Sequence, residues 1–236
     1  MKKSHIVNNI EKYYLGGLSK SVLWKIVNKK ATIRFSTEAK NAVGTLSFDI
    51  DLPDCSLAIY NTDALLRLIN ITNEEISIIV SEDNQKLKIQ DNKFDLIYHL
   101  SEVDAIPSVP DVTESDYDFE FEVNDDFTTG FLKSHNALEK TDNVTLNTSI
   151  TKQDESIVEI ILGERSNHSH KIKFTEPAKF TTPSDLIPFP ANVLREILAA
   201  NKGIKGTIYV SNKGLMKLEF NEDNNPSKYF VVRQQL

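Results

Sequence analysis

Few residues in this 236-residue chain have the types and spacing that chemistry demands. His168 and His170, in Asn-His-Ser-His, fall on one side of an extended segment, yet no third metal ligand stands at a recognisable spacing. Asp49, Asp51 and Asp54 in FDIDLPD look like half of a cation loop, without the glycine and distal glutamate of an EF-hand. The Gly-rich stretch LGGLSKS from Leu15 to Ser21 misses the spacing of a phosphate-binding loop. Five scattered histidines and a single cysteine, Cys55, build no Ser/His/Asp or Cys/His arrangement. The expectation is a protein that is not an enzyme and uses neither cofactor nor metal.

Bulk properties narrow the class further. Apolar residues make up 40% of the chain, enough for real cores, and no apolar run approaches membrane-spanning length. With one cysteine no intrachain disulfide can form, so a reducing cytoplasm is the expected home and no membrane partner is expected. Net charge is −7, from 27 basic and 34 acidic residues, which argues against a protein that simply coats nucleic acid. Acid concentrates in one place: ten Asp and Glu residues lie between Ser101 and Asp126. That stretch also holds Pro107 and Pro110 and reads as a linker.

The elements around it repeat. SLAIYNTDALLRLINIT (56–72) and DLIPFPANVLREILAANKG (185–203) each run from an extended apolar tetrad into a short amphipathic helix bearing an arginine. Alternation predicts strands over 21–27, 31–36, 43–50, 75–80, 86–90 and 94–100 in the first half. The second half predicts strands over 118–123, 144–150, 157–163, 170–174, 206–211, 215–220 and 228–233. Four helices are predicted over 4–14, 62–70, 126–138 and 191–201, with Ser4 capping the first, Asn61 or Thr62 the second, and Asn124 or Asp125 the third. The chain thus reads as α+β, a β-α-β-β-β unit written four times in two halves: 1–105, a connector over 106–117, and 118–236. A unit that cannot bury its own face and recurs so regularly points to a repeated or ring-forming architecture.

Helix geometry then assigns faces. Residues seven apart return to nearly one direction, which pairs Lys133 with Lys140 and Arg195 with Lys202 away from the apolar stripes. Arg67 points away from Leu65, Leu68 and Ile69, and Lys12 is expected to be exposed on the first helix. Four basic helix faces would attract phosphate backbone without reading bases, because no Arg/Asn/Gln cluster is present to address base edges. Solvated helix faces also carry lysines for no such reason.

From about Thr32 onward the sequence resembles a processivity sliding clamp of the type encoded by T4-like bacteriophages. The residues behind the likeness are SLAIYNTDALLRLINITNEE, SEDNQKLKIQD, DDFTTGFLKSHNALE, IPFPANVLREILAANKG, YVSNKGLMKLEFNEDN and YFVV, in that order. No short motif is diagnostic, and the likeness is diffuse over 1–30. It implies the DNA clamp fold: a homotrimeric ring of two-domain subunits whose helices, on the inner face, surround duplex DNA without regard to sequence. Lys12, Arg67, Lys133, Lys140, Arg195 and Lys202 would face the DNA. The implied partners are a replicative DNA polymerase, an ATP-driven clamp loader and, for some clamps of this kind, transcription factors, in the cytoplasm of an infected bacterium. A pocket for a partner's apolar peptide would involve Ile106, Pro107, Val109 and Pro110, with Tyr229 and Phe230 of the last strand. Subunits would join through edge strands bearing Phe94, Leu96 and Tyr98 on one side and Lys171 and Lys173 on the other. Against this stands a second reading, a viral assembly β-protein that oligomerises through the same edges and never binds DNA.

Overall fold

The computed structural model describes residues 1–114, 116–138, 141–163, 170–222 and 225–234. These form two compact units: Met1–Pro110 with Asp223–Ser227, and Asp111–Glu222 with Lys228–Leu236. The division after Pro110 falls within the expected interdomain connector, 106–117.

In the first unit, α1 (Lys3–Tyr14) precedes β1 (Val22–Val27), β2 (Lys30–Ser36) and β3 (Ala42–Asp49). Then β4 (Cys55–Ile59) leads into α2 (Thr62–Asn70) and β5 (Ser77–Val80), β6 (Lys86–Gln90) and β7 (Asp95–His99). The strands form two antiparallel sheets, ordered β3-β2-β1-β4 and β5-β6-β7. Asn28 and Lys29, both at positive φ, close the β1–β2 hairpin in two residues. That is the twist a tight hairpin of right-handed strands requires. Trp24, at the centre of the core, meets Phe48 edge-on at 5.6 Å between centroids and Tyr13 of α1 at 6.4 Å.

The second unit repeats the plan. β8 (Phe119–Val123), α3 (Asp125–Asn136), β9 (Asn143–Ile150), β10 (Ser156–Leu162) and β11 (Ile172–Phe180) form one set; β12 (Ile187–Pro190), α4 (Ala191–Ala200), β13 (Gly206–Val210), β14 (Leu215–Phe220) and β15 (Ser227–Val232) form the other. Neighbouring strands run β12-β9-β10-β11-β8-β13-β14-β15. Phe127 of α3 sits at the middle of this core, within 5.6 Å of Phe121, 6.1 Å of Phe174 and 6.2 Å of Phe131.

Each unit therefore contains two helices, and the two touch: α1 on α2, α3 on α4. The helix starts are fixed locally. Asn61 Oδ1 accepts the Ala64 N–H at 3.0 Å, and Asn124 Oδ1 accepts the Phe127 N–H at 2.8 Å, each satisfying one of a helix's orphan donors. Ser4, expected to cap α1, does not: the helix already begins at Lys3, and Ser4 is drawn to the Glu74 carboxylate instead. At the other end, Gly203 takes the positive φ (+83°) that releases the chain from α4.

Replacing Asn61 or Asn124 with alanine should cost about 1 kcal/mol in the unit that contains it. Urea unfolding followed by Trp24 fluorescence, which reports on the first unit, should shift to lower urea for Asn61→Ala.

Candidate functional site

Six basic residues were expected on the outward helix faces, and the structure sorts them. Arg67 is exposed on α2 and forms an i,i+4 ion pair with Asp63 at 2.9 Å. Lys133 is exposed on α3. Arg195 on α4 is two-thirds covered and paired with its neighbour Glu196. Lys202 is exposed but lies beyond α4, which ends at Ala200; its N–H bonds back to the Ala199 carbonyl at 3.3 Å. Lys140 is outside the described residues, as is His168.

Lys12 corrects the expectation: only 3% of it is exposed. The reason is that α1 packs on two sides, against β3 and against α2. Its buried face widens from the stripe of Ile6, Ile10 and Tyr13 to take in Asn9 and Lys12, whose aliphatic stem suits such a site. Within the helices as they fold, five basic residues (Lys3, Lys12, Arg67, Lys133, Arg195) meet five acidic ones (Glu11, Asp63, Asp125, Asp126, Glu196). The four helices together are neutral, so the deficit of seven charges falls entirely on the rest of the chain. Part of this pattern serves the helices themselves. Asp63, Asp125 and Asp126 occupy first turns, and Arg67 and Lys133 last turns, as the helix dipole favours.

Between α3 and α4 lies a group the sequence did not single out. His135 stacks on Phe131 with 28° between ring planes, and its Nε2 is buried without a hydrogen-bond partner among the described residues. Burial holds its pKa below the ordinary 6.5, and the nearby Arg195 charge adds to this, against opposing contributions from Asn136 and Glu196.

Some of the residues expected around a peptide pocket line a groove. Val103, Ile106, Pro107 and Val109 line a groove of about 300 Å³ whose floor is the outer face of β1 and β2, namely Leu23, Lys25, Thr32 and Arg34. Strand alternation explains the floor: Trp24, Ile26, Ile33 and Phe35 point into the core, and these residues point out. The overlying segment is tied down at both ends. Ser101 N–H bonds the Ala58 carbonyl at 3.0 Å, and Arg34 Nη2 donates to the Pro110 carbonyl at 3.3 Å. Tyr229 and Phe230 do not line this groove. Tyr229 is wholly buried in the second unit, where its hydroxyl accepts from Asn201 Nδ2 at 2.9 Å and its ring meets Phe220 edge-on. The alternation of β15 turns it inward, whereas Phe230 is half-buried beneath Lys228.

In the second unit the acidic segment is latched. Glu114 reaches Lys228 at 3.3 Å and Lys217 at 3.4 Å, and Glu219 closes the group from below at 3.0 and 3.3 Å. Lys217 Nζ sits 4.2 Å from the Tyr209 ring centroid and 4.8 Å from that of Tyr117. Burial, then the charges of Glu114 and Glu219, push the Tyr117 hydroxyl up to about 12.

The edge strands also separate. Leu96 and Phe94 are half-buried at or beside β7, but Tyr98 is 6% exposed and turned inward, exchanging hydrogen bonds of 3.1 Å with the backbone of Asn61 at the start of α2. It holds its own unit together rather than offering a contact. β11 is longer than expected and pairs with β10 along Ile172–Pro177, but with β8 only over Ala178–Phe180. Its first half therefore has an open edge among the described residues. Lys173 there is held by Glu159, and Lys171 is exposed.

This arrangement can be compared with known proteins. No family model matches the chain and no curated protein matches it. Solved structures do. Proliferating Cellular Nuclear Antigen from Entamoeba histolytica matches with a TM-score of 0.77 at 13% identity, over 100% of this chain and 97% of the other. PCNA from A. fulgidus, solved with the C-terminal region of FEN-1 bound, matches with a TM-score of 0.76 at 14% identity, again over 100% and 97%. The fold is that of a DNA sliding clamp. At such identity the likeness is one of backbone fold.

The His135 site yields a pH dependence. Its folded pKa is depressed, so the unfolded chain binds the proton more readily, and the site's share of stability is complete above 6.5 and lost as pH falls toward the folded value. Unfolding of His135→Gln measured from pH 8 down to pH 5 should show a shallower acid loss than the parent chain.

Proposed function

We propose that this chain is a sliding clamp: three copies closing into a ring around duplex DNA, tethering a replicative DNA polymerase and loaded by an ATP-driven loader. The observation that carries the reading is the likeness to clamps over 100% of this chain and 97% of each of the others. The neutral helices in an otherwise acidic chain fit it. They would let DNA pass without holding it, while the negative remainder discourages binding elsewhere. The residues proposed to meet phosphate are Arg67, Lys133 and Lys202, with Arg195 behind them; Lys12 is not among them. Affinity in such a device comes from topological linkage, since a closed ring cannot leave one contact at a time.

The T4-like phage kind is the closer assignment that the sequence segments support, and with it action in the cytoplasm of an infected bacterium. The groove under Val103–Val109 is the proposed seat for a partner's apolar peptide, by analogy with the FEN-1 segment bound to the A. fulgidus clamp. The open edges of β7 and of Ile172–Pro177 are the proposed joints between copies.

Light scattering of the purified chain should give about three chains per particle. After loading, the protein should stay on nicked circular DNA and run off linear DNA. Equal rapid loss from both would rule out encirclement and leave the assembly-protein reading. Arg67→Gln, Lys133→Gln and Lys202→Gln should each lower the salt dependence of DNA binding by roughly one counterion, and Lys12→Gln should leave it unchanged.

A further inference from the structure

The groove floor lies in the most basic stretch of an acidic protein. From Lys20 to Lys40 there are six basic residues and one acid, Glu38, while the chain as a whole carries seven more acids than bases. A second cleft of about 550 Å³ adjoins the apolar groove, sharing Ser21 and Pro107–Val109 as common lining. Its other walls differ in character. They include Lys20, Lys40, Glu38 and Tyr60. Tyr60 is 58% exposed, the one aromatic among the large apolar residues so exposed in the described part of the chain. Its backbone carbonyl accepts the Ser21 hydroxyl at 2.7 Å, which fixes the rim where the two clefts meet. Lys20 is paired with Glu38 at 3.2 Å across open solvent, a contact worth little and easily exchanged. Lys40 is held on a backbone at positive φ (54°) and has no ion pair among the described residues.

We propose that this second cleft takes acidic residues flanking the apolar anchor of the docked peptide, with Lys20 and Lys40 as the receiving charges and Tyr60 as the wall. The inference rests on the reading that the apolar groove docks a partner peptide, and it adds the chemistry of that partner: an apolar anchor next to Asp or Glu. Lys25 and Arg34 on the adjoining floor carry the same sign of charge, so an acidic peptide is attracted along the whole path. A basic flank would meet like charge from Lys25 and Lys40. Glu38 is the internal competitor, occupying Lys20 until a peptide carboxylate displaces it.

Fluorescence anisotropy with two labelled synthetic peptides tests this: an Ile-Leu-Phe anchor followed by Asp-Asp-Asp, and the same anchor followed by Asn-Asn-Asn. The Asp peptide should bind about tenfold tighter at low salt, about 1.4 kcal/mol. The difference should fall several-fold in the double variant Lys20→Gln with Lys40→Gln, persist in full in Lys86→Gln with Lys93→Gln, and grow a few-fold in Glu38→Gln. Equal binding of both peptides to the parent chain, still weakened by Ile106→Asp, would overturn the acidic subsite and leave the apolar groove standing. Binding of neither peptide would remove the groove reading and the subsite with it.

Discussion

Helices of nine to twelve residues do not hold themselves together in water, and each of the four in this chain depends on burying one stripe against a partner helix and a sheet. That dependence organises the rest. It explains why helices come in touching pairs, α1 with α2 and α3 with α4, and why a β-α-β-β-β unit never stands alone. It also decides which polar groups remain available. A helix covered on two sides, as α1 is, keeps few outward positions, and a lysine on its flank is buried along with the leucines' counterparts.

Much of this was legible in the sequence. Period-two alternation located the strands, and the two echoing helices around Arg67 and Arg195 exposed the repeat. Asn61 and Asn124 marked helix starts because their side chains can stand in for a missing backbone acceptor. What could not be read was context. A helical wheel places Lys12 away from Ile6 and Ile10, but cannot know that a second helix covers that flank. Tyr98 and Tyr229 look like surface aromatics on terminal strands; each has its hydroxyl satisfied inside, by Asn61 and by Asn201. Ser4 had the type for a cap and lost the role to a carboxylate seventy residues away. His135 gave no sequence signal at all, since a histidine between Ser134 and Asn136 reads as solvent-facing until Phe131 and α4 are placed beside it.

Charge in this molecule is arranged more by local need than by a single field. The first-turn aspartates neutralise helix ends, and their cost is that the helix layer carries no net positive charge. The acid between Ser101 and Asp126 is not a free tail either: Glu114 is consumed in a four-residue network with Lys217, Glu219 and Lys228. Burial raises the Glu219 carboxyl's pKa, but the hydrogen bonds from Lys228 and Lys217 outweigh it and hold the group ionised.

The strand edges have a consequence of their own. β12 begins its sheet with Pro188 and Pro190, which lack N–H donors, and β4 is met by the Ser101 amide. The chain start bonds the residues just ahead of β5, linking Met1 and Lys3 to Ile76 and Glu74. Among the described residues β7 and the front of β11 have open edges, and these two are unlike. Joining unlike edges head to tail has no built-in stopping point: it closes only if the turn per copy divides a full circle, and otherwise winds on as a helical filament. Were copies of this chain to join through these two edges, closure would be a property of angle rather than of affinity, and a tilt of either edge by a few degrees would trade a finite particle for a fibre without weakening a single contact.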